Sequence, residues 1–155
     1  MSRLLILGAG GHGKVVAETA FESNNFRRIS FLDDGKIGEK VLGFEVIGGF
    51  NTMEKLRDNF DSAFVALGDN KLRVEWLLKL KKIGYFLPII KHPTSVISKS
   101  AALKEGTCVF ANAVINASVK IGVGCIINTS SIVEHDCNIE DGVHVSCNAS
   151  LGGTV

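Results

Sequence analysis

One histidine of this chain stands between two carboxylates, in the run Val133-Glu134-His135-Asp136. Histidine is the side chain best suited to accept a proton near neutral pH, so His135 is the first candidate for a general base. A carboxylate that bonds the second ring nitrogen fixes the tautomer and stabilises the charge that develops. The sequence predicts such a pair but leaves open whether Glu134 or Asp136 is the partner. A second histidine, His144, follows nine residues later.

A glycine-rich loop near the N-terminus offers a second kind of chemistry. Residues 8–13 read Gly-Ala-Gly-Gly-His-Gly, which fits the pattern GxGxxG between a predicted strand and a predicted helix. Glycines let the backbone approach a phosphate, and N–H groups at the start of the helix can bind it. Asp33 follows Gly13 by 20 residues, where an acid can accept from a ribose hydroxyl. A triphosphatase loop is disfavoured, because Val15 stands where Ser or Thr would hold magnesium.

The element that must hold His135 is a ladder of aliphatic residues with a strict period of six. Its members are Ile97, Leu103, Val109, Ile115, Ile121, Ile127, Val133, Ile139, Val145 and Leu151. A compact residue such as Cys137 comes two positions before each member, and a turn-former or small polar residue such as Asp136 comes three positions after it. Hexapeptide repeats of this kind predict a parallel β-helix with three short strands, and therefore 18 residues, in each coil.

Residues 1–91 read instead as alternating strands and helices, which must position the glycine loop. We predict strands at residues 3–7, 28–32, 44–47, 62–67 and 85–90. We predict helices at residues 13–23, 52–59 and 71–83, the last with an apolar face of Leu72, Trp76, Leu80 and Ile83. This alternation indicates an α/β domain with a parallel sheet and right-handed crossovers. Pro93 marks the boundary, so residues 92–155 form the second domain.

Composition and charge exclude several classes of function. The 155 residues carry a net charge of +1, which provides no bulk electrostatic basis for binding nucleic acid or an anionic membrane. No apolar run approaches the length of a membrane span, and the N-terminus does not read as a signal peptide. The four cysteines show no CxxC spacing, and the histidines lack a partner at metal-ligand spacing, so we expect reduced cysteines and no metal. The expected compartment is the cytoplasm.

The motifs together resemble those of the sialic acid O-acetyltransferase family of hexapeptide-repeat acyltransferases. This family includes bacterial nucleotide-sugar N-acetyltransferases of the bacillosamine and perosamine pathways. The resemblance covers the whole chain and rests on five runs: Gly8-Ala9-Gly10-Gly11-His12-Gly13-Lys14, Phe31-Leu32-Asp33-Asp34, Ala66-Leu67-Gly68-Asp69-Asn70, His92-Pro93 and Asn128-Thr129-Ser130-Ser131-Ile132-Val133-Glu134-His135-Asp136-Cys137. The last run is highly specific, whereas the glycine loop alone is not.

The resemblance implies a Rossmann-like N-terminal domain that holds a nucleotide-sugar, followed by a left-handed β-helix. It implies acetyl-CoA as co-substrate and a homotrimer with active sites between neighbouring β-helices. By this likeness His135 is the general base, Asp136 is its partner and His144 contacts the acetyl thioester. Residues implied in binding the nucleotide-sugar are Gly8, Gly10, Gly11, His12, Gly13, Asp33, Asp34, Gly68, Asn70 and Asn128. From its turn position alone, we also expect backbone N–H groups near Gly142 to receive the oxyanion.

Family members continue for several more coils, whereas only about three coils follow Ile97 here. This difference leaves acetyl-CoA binding as an open question. Two other functions are therefore retained: a nucleotide-sugar-binding module without transferase activity, and an NAD-binding oxidoreductase domain suggested by GxGxxG and Asp33. The resemblance does not distinguish acetylation of a sugar hydroxyl from acetylation of an amine.

Overall fold

The computed structural model describes residues 1–155, which divide into two compact units, Met1–Pro88 and Ile89–Val155. We call these the N-terminal unit and the C-terminal unit and describe each by itself. The N-terminal unit contains β1 (Ser2–Leu7), α1 (Gly11–Glu22), β2 (Phe26–Leu32), β3 (Lys40–Val41), β4 (Phe44–Gly48), a 3-10 helix (Phe50–Thr52), β5 (Ser62–Val65) and α2 (Asn70–Ile83).

The N-terminal unit is built on one sheet of strand order β3-β4-β2-β1-β5. The pairs β1–β2, β1–β5 and β2–β4 are parallel, and only the short β3–β4 hairpin is antiparallel. In the central strand β1, Leu4, Leu5, Ile6 and Leu7 are all 0% exposed. Four consecutive buried residues require cover on both faces of the sheet, as is usual for parallel sheets. The carboxyl end of β1 therefore delivers the glycine loop from a rigid position.

Two predicted elements of this unit are wrong. The helix expected at residues 52–59 is a 3-10 turn at Phe50–Thr52 followed by turns. The strand expected at 85–90 is reduced to one bridge between Ser62 and Phe86, because Ile90 pairs with Cys108 in the C-terminal unit. At residues 85–90, pairing within the C-terminal unit has overridden local propensity.

The buried face of α2 is also rotated from the predicted one. Its buried residues are Arg73, Leu77 and Leu80, whereas Leu72 is 42% exposed. Apolar periodicity misplaced the face because it counts an arginine as exposed. Here Arg73 is buried and donates to the carbonyl oxygens of Leu67 (2.9 Å) and Gly68 (3.3 Å). Hydrogen bonding of this kind is what allows a charged group to be buried.

The C-terminal unit consists of eleven two-residue strands that repeat along the chain. They are β6 (Ile90–Lys91), β7 (Val96–Ile97), β8 (Ala102–Leu103), β9 (Cys108–Val109), β10 (Val114–Ile115), β11 (Lys120–Ile121), β12 (Ile126–Ile127), β13 (Ile132–Val133), β14 (Asn138–Ile139), β15 (His144–Val145) and β16 (Ser150–Leu151). They form three parallel sheets of order β16-β13-β10-β7, β14-β11-β8 and β15-β12-β9-β6. Partners such as Ile115 and Val133 lie 18 residues apart, consistent with the expected β-helix.

The interior of this unit is the aliphatic ladder with the compact residues that precede each rung. The buried cluster includes Val109, Ile115, Ile121, Ile127, Val133, Ile139 and Val145, together with Ala113, Val119, Cys125 and Cys137. The residue three positions after each rung forms a corner of the coil. From Gly106 to Thr154, every one of these corner residues has a left-handed backbone, with φ between 56° and 72°. Ser100, at the first such position, is the exception. Asp136 is one of these corners, with φ 61°, and this conformation directs its side chain.

Candidate functional site

His135 and Asp136 form a hydrogen-bonded pair at an edge of the C-terminal unit. Nδ1 of His135 lies 2.8 Å from Oδ2 of Asp136, so Asp136 rather than Glu134 orients the ring. The pair follows β13, whose Val133 is fully buried, and the two side chains are 59% and 57% exposed. A buried rung thus anchors an exposed imidazole. With Nδ1 protonated toward the carboxylate, Nε2 carries the lone pair that a general base needs.

A second polar pair joins neighbouring coils. Nδ2 of Asn128 lies 2.9 Å from Nε2 of His144, because β12 and β15 run side by side with Ile126 opposite His144. The amide oxygen of Asn128 already accepts from the N–H of Thr129 at 2.8 Å, which orients the amide so that Nδ2 donates. Nε2 of His144 is therefore the acceptor, and in the neutral ring the proton lies on Nδ1.

The expectation for Gly142 is not supported at its own N–H. Gly142 is buried, and its N–H donates to the carbonyl oxygen of Val123 at 2.8 Å. The ladder of the coil uses this donor, so it is not available to an oxyanion. Turn position alone could not reveal this, because every corner N–H of a β-helix has a potential partner in the preceding coil.

In the N-terminal unit, the glycine loop is shaped by two close approaches. Gly8 has φ +102°, and a Cβ there would lie 2.7 Å from the carbonyl oxygen of Ala66. A Cβ on Gly13 would overlap the carbonyl oxygen of Gly8. Gly10 and Gly11, in contrast, are exposed and have open space around the position of a Cβ. The fold therefore requires the first and last glycines of the motif, and the middle two leave room for a ligand.

Two side chains hold the loop from outside. Oδ2 of Asp33 accepts from the N–H of Ala9 at 2.9 Å, and its Oδ1 accepts from the N–H of Gly35 at 3.0 Å. Nζ of Lys36 donates to the carbonyl oxygen of Ala9 at 2.8 Å. Asp33 thus clamps its own chain, and its role toward a ribose stays a prediction. Lys36 was not predicted, because it lies in a glycine-rich segment without periodicity.

The remaining predicted residues of this unit are held by contacts of their own. Asp34 is exposed, and its Oδ1 accepts from the N–H of Phe50 at 3.0 Å. The amide oxygen of Asn70 accepts from Arg73 at 2.8 Å, and Gly68 is exposed beside it. His12 lies in the first turn of α1 and is partly buried. Arg73 therefore positions the loop of Gly68 and Asn70, a role that the sequence pattern did not indicate.

No cluster of three or more His, Cys, Asp or Glu side chains is arranged to hold a metal ion. Neither helix has the length and apolar character needed to cross a bilayer.

Comparison with known proteins identifies the family. The sequence model of the PglD N-terminal domain matches residues 3–80, which is about half of the chain. The chain belongs to the PglD N-terminal domain family. Together with the relatives and solved structures that follow, this match confirms the resemblance to acetyltransferases of the bacillosamine and perosamine pathways.

Two relatives of this PglD-family chain have assigned activities. It is 29% identical to GDP-perosamine N-acetyltransferase of Escherichia coli O157:H7, covering 97% of this chain and 70% of the relative. It is 37% identical to UDP-N-acetylbacillosamine N-acetyltransferase of Bacillus subtilis strain 168, covering 72% of this chain. The chain thus spans about half, 52%, of the length of the Bacillus relative.

Solved structures extend the family match over the C-terminal unit. The acetyltransferase domain of PglB from Neisseria gonorrhoeae FA1090, in complex with acetyl coenzyme A, is 38% identical, with a TM-score of 0.94. The match covers 98% of this chain and 74% of that one. A histidine-to-asparagine variant of perosamine N-acetyltransferase from Caulobacter crescentus, in complex with CoA and GDP-perosamine, is 34% identical, with a TM-score of 0.94 over 99% of this chain and 73% of that one.

Proposed function

We propose that this chain transfers the acetyl group of acetyl-CoA to an amino group of a nucleotide-linked sugar, in bacterial surface-glycan biosynthesis. The observation that carries the proposal is the exposed pair of His135 and Asp136, 2.8 Å apart. Family membership supports the choice of substrates, since the relatives are nucleotide-sugar acetyltransferases. An amine is proposed over a hydroxyl because both relatives are named N-acetyltransferases.

In the proposed mechanism, Nε2 of His135 accepts a proton from the sugar nitrogen as that nitrogen bonds to the thioester carbonyl carbon. Asp136 accepts from Nδ1 and stabilises the imidazolium that results. The carbon–sulfur bond then breaks, and His135 returns the proton to the departing thiolate. General-base catalysis of this type contributes ~10²–10⁴-fold. Orientation of the two substrates contributes up to roughly 7–11 kcal/mol of the barrier.

We assign His144 to the acetyl thioester and Asn128 to its orientation and to the nearby sugar. Nδ2 of Asn128 donates to Nε2 of His144, which leaves Nδ1 as the protonated nitrogen of a neutral ring. An N–H donor stabilises negative charge that develops on a carbonyl oxygen. Asn128 and His144 would therefore stabilise charge while His135 and Asp136 transfer the proton. Glu134, half-buried beside the pair, has no role in this scheme.

We propose that the N-terminal unit has a Rossmann-like fold and binds the nucleotide-sugar. Gly10 and Gly11 leave open space at the start of α1, where N–H groups can bind a phosphate. The ammonium of Lys36, held beside the loop at Ala9, would balance part of the charge of a diphosphate. Sugar and nucleoside contacts would come from the other predicted residues, which are Gly8, His12, Gly13, Asp33, Asp34, Gly68 and Asn70.

The same proposal includes a left-handed sense for the β-helix of the C-terminal unit and a homotrimeric assembly. Both rest on the family resemblance and on the similarity to the Neisseria and Caulobacter acetyltransferases. Sedimentation at micromolar concentrations tests the assembly, and a monomer would contradict it.

A binding and product panel tests the function. The chain is titrated with acetyl-CoA, with UDP-, GDP- and CMP-linked amino-sugars, and with NAD, and the products are analysed by mass spectrometry. Acetylation of a nucleotide amino-sugar supports the transferase, and the preferred nucleotide defines the acceptor. If the chain binds a nucleotide-sugar but does not bind acetyl-CoA, it is a nucleotide-sugar-binding module without transferase activity. Binding of NAD alone would indicate the oxidoreductase domain. Acetylation only of the hydroxyl-sugar analogue would contradict the amine.

A further inference from the structure

His135 belongs to a column of residues that occupy the same position in successive coils. The strand β13 pairs with β10 on one side and β16 on the other, each at an offset of 18 residues. Position 135 is therefore preceded by Ala117 and Lys99 and followed by Gly153. The two immediate neighbours of the histidine in this column are the two smallest residues. The imidazole thus has space along the edge that larger neighbours would occupy.

The ring uses that space on the side of Gly153. A Cβ built at Gly153 would lie 2.7 Å from Cε1, 2.7 Å from Nε2 and 3.3 Å from Cδ2 of His135. Non-bonded carbon atoms prefer about 3.5–4.0 Å, so a methyl group would displace the ring by about 1 Å. Gly153 does not have a left-handed φ, so its backbone accepts an L-residue. The imidazole itself is what excludes a side chain at this position.

The backbone on the Gly153 side is fixed, so the ring would have to move. The N–H of Thr154 donates to the carbonyl oxygen of His135 at 2.9 Å, which ties the turn to the coil below it. Sγ of Cys137 lies 3.1 Å from the carbonyl oxygen of Gly152, which holds the same turn from inside. The imidazole, by contrast, is 59% exposed and turns about two side-chain bonds. Its displacement would strain or break the bond to Asp136.

We propose that Gly153 is a positioning residue for His135. Because Gly153 has no side chain, the imidazole can lie where its Nδ1 bonds to Asp136 and its Nε2 is available to accept the substrate proton. The catalytic part of this inference rests on the proposed function, whereas the position of the His135 ring rests on geometry alone. In Gly153→Ala, kcat is expected to fall about 10²-fold, because a misplacement of about 1 Å costs that much. KM for both substrates is expected to stay within about twofold, since Gly153 acts through the base.

The matched control is Gly152→Ala. Gly152 is the adjacent glycine of the same turn, is exposed, and has open space at its Cβ position. Both variants are expected to have the melting temperature of the wild type. Ala117 already occupies the position equivalent to Gly153 two coils earlier, and the Cβ position of Gly152 is open. Only Gly153→Ala is expected to lose activity.

Nitrogen-15 NMR of the His135 ring provides a readout that does not depend on activity. The wild type and Gly152→Ala should show one tautomer with the proton on Nδ1, and Gly153→Ala should show changed ring-nitrogen shifts. Unchanged shifts in Gly153→Ala, or changed shifts with unchanged kcat, would overturn the inference. If the wild type acetylates no acceptor, the proposed function fails, while the NMR comparison still tests whether Gly153 positions the imidazole of His135.

Discussion

The two units of this chain hold their functional groups by different means. In the C-terminal unit, each side chain takes its place from a repeat, and His135 is fixed by a buried rung two residues earlier. In the N-terminal unit, the glycine loop is held by individual bonds from Asp33 and Lys36 to its backbone. In a repeat, the spacing of residues in the sequence therefore predicts where a site residue lies. A loop between a strand and a helix depends on contacts that spacing does not encode.

The difference extends to what each unit can offer chemically. The edge of the C-terminal unit presents titratable side chains on a rigid support of stacked strands, which suits proton transfer. The loop after β1 presents backbone N–H groups and open space at Gly10 and Gly11, which suits the binding of an anion. Variants in the C-terminal unit should therefore change the rate of chemistry, and variants in the glycine loop should change the binding of substrate.

The largest expected effect belongs to His135→Ala. We expect kcat for acetyl transfer to fall ~10²–10⁴-fold, because the general base is removed. The fold should persist, since Ala117 occupies the same position one coil earlier. Lys99→Ala is the matched control, because Lys99 is the exposed residue of the same column two coils earlier. Steady-state kinetics checks both variants, and equal losses in both would remove the special role of His135.

The next effect concerns the packing of the coil. Ile127 is 0% exposed, between Val109 and Val145 of the neighbouring coils. We expect Ile127→Ala to lower the free energy of unfolding by about 2–5 kcal/mol, because the two neighbours keep the cavity open. Leu151→Ala should cost less, since Leu151 is only half-buried and β16 pairs on one side. Urea denaturation compares them, and a larger loss at Leu151 would contradict the stacked-coil account.

The glycine loop separates the demands of the fold from those of the ligand. We expect Gly13→Ala to cost about 1–3 kcal/mol of stability, because its Cβ would overlap Gly8. Gly10→Ala should stay within about 0.5 kcal/mol of the wild type, since its Cβ position is open. Its KM for the nucleotide-sugar should rise instead. Thermal melting and kinetics distinguish the two, and a normal KM in Gly10→Ala would argue against a ligand at this loop.

The smallest effect is a pH dependence in the N-terminal unit. Hydrogen bonds from Arg3, at 2.9 Å and 3.2 Å from its side chain and 3.0 Å from its N–H, hold the pKa of Asp61 well below its usual range. A lowered pKa means that the pair stabilises the folded state above the unfolded value near ~4 and that this contribution is lost as the pH falls below it. Because the pair is partly exposed, the contribution is small.

Asp61→Asn tests this dependence. The melting temperature of the wild type should fall more steeply than that of Asp61→Asn between about pH 5 and pH 3, because the carboxylate of the unfolded chain takes up a proton in this range while that of the folded chain stays charged. Asp58→Asn, at a nearby exposed carboxylate, is the control. Parallel melting curves of the wild type and Asp61→Asn across this range would show that the pair contributes nothing.

The limits of prediction from sequence follow the same division. The period of six correctly predicted the ladder, whose rungs from Val109 to Val145 are buried, and the turn at Asp136, because every coil repeats the same packing problem. It could not assign the N–H of Gly142, whose partner Val123 lies one coil earlier. In the N-terminal unit, the pattern predicted β1, α1 and the glycine loop. It missed Lys36 and Arg73, because long polar side chains that bond to backbone carbonyls leave no periodic signal.

The central claim is that the C-terminal unit performs the chemistry while the N-terminal unit binds the nucleotide-sugar. Its most direct test is steady-state acetyl transfer at saturating acetyl-CoA, with the nucleotide amino-sugar varied, in the wild type, Gly10→Ala and His135→Ala. The account predicts that Gly10→Ala raises KM with kcat preserved and that His135→Ala lowers kcat ~10²–10⁴-fold with KM preserved. Full kcat in His135→Ala, alongside a collapsed kcat in Gly10→Ala, would contradict it.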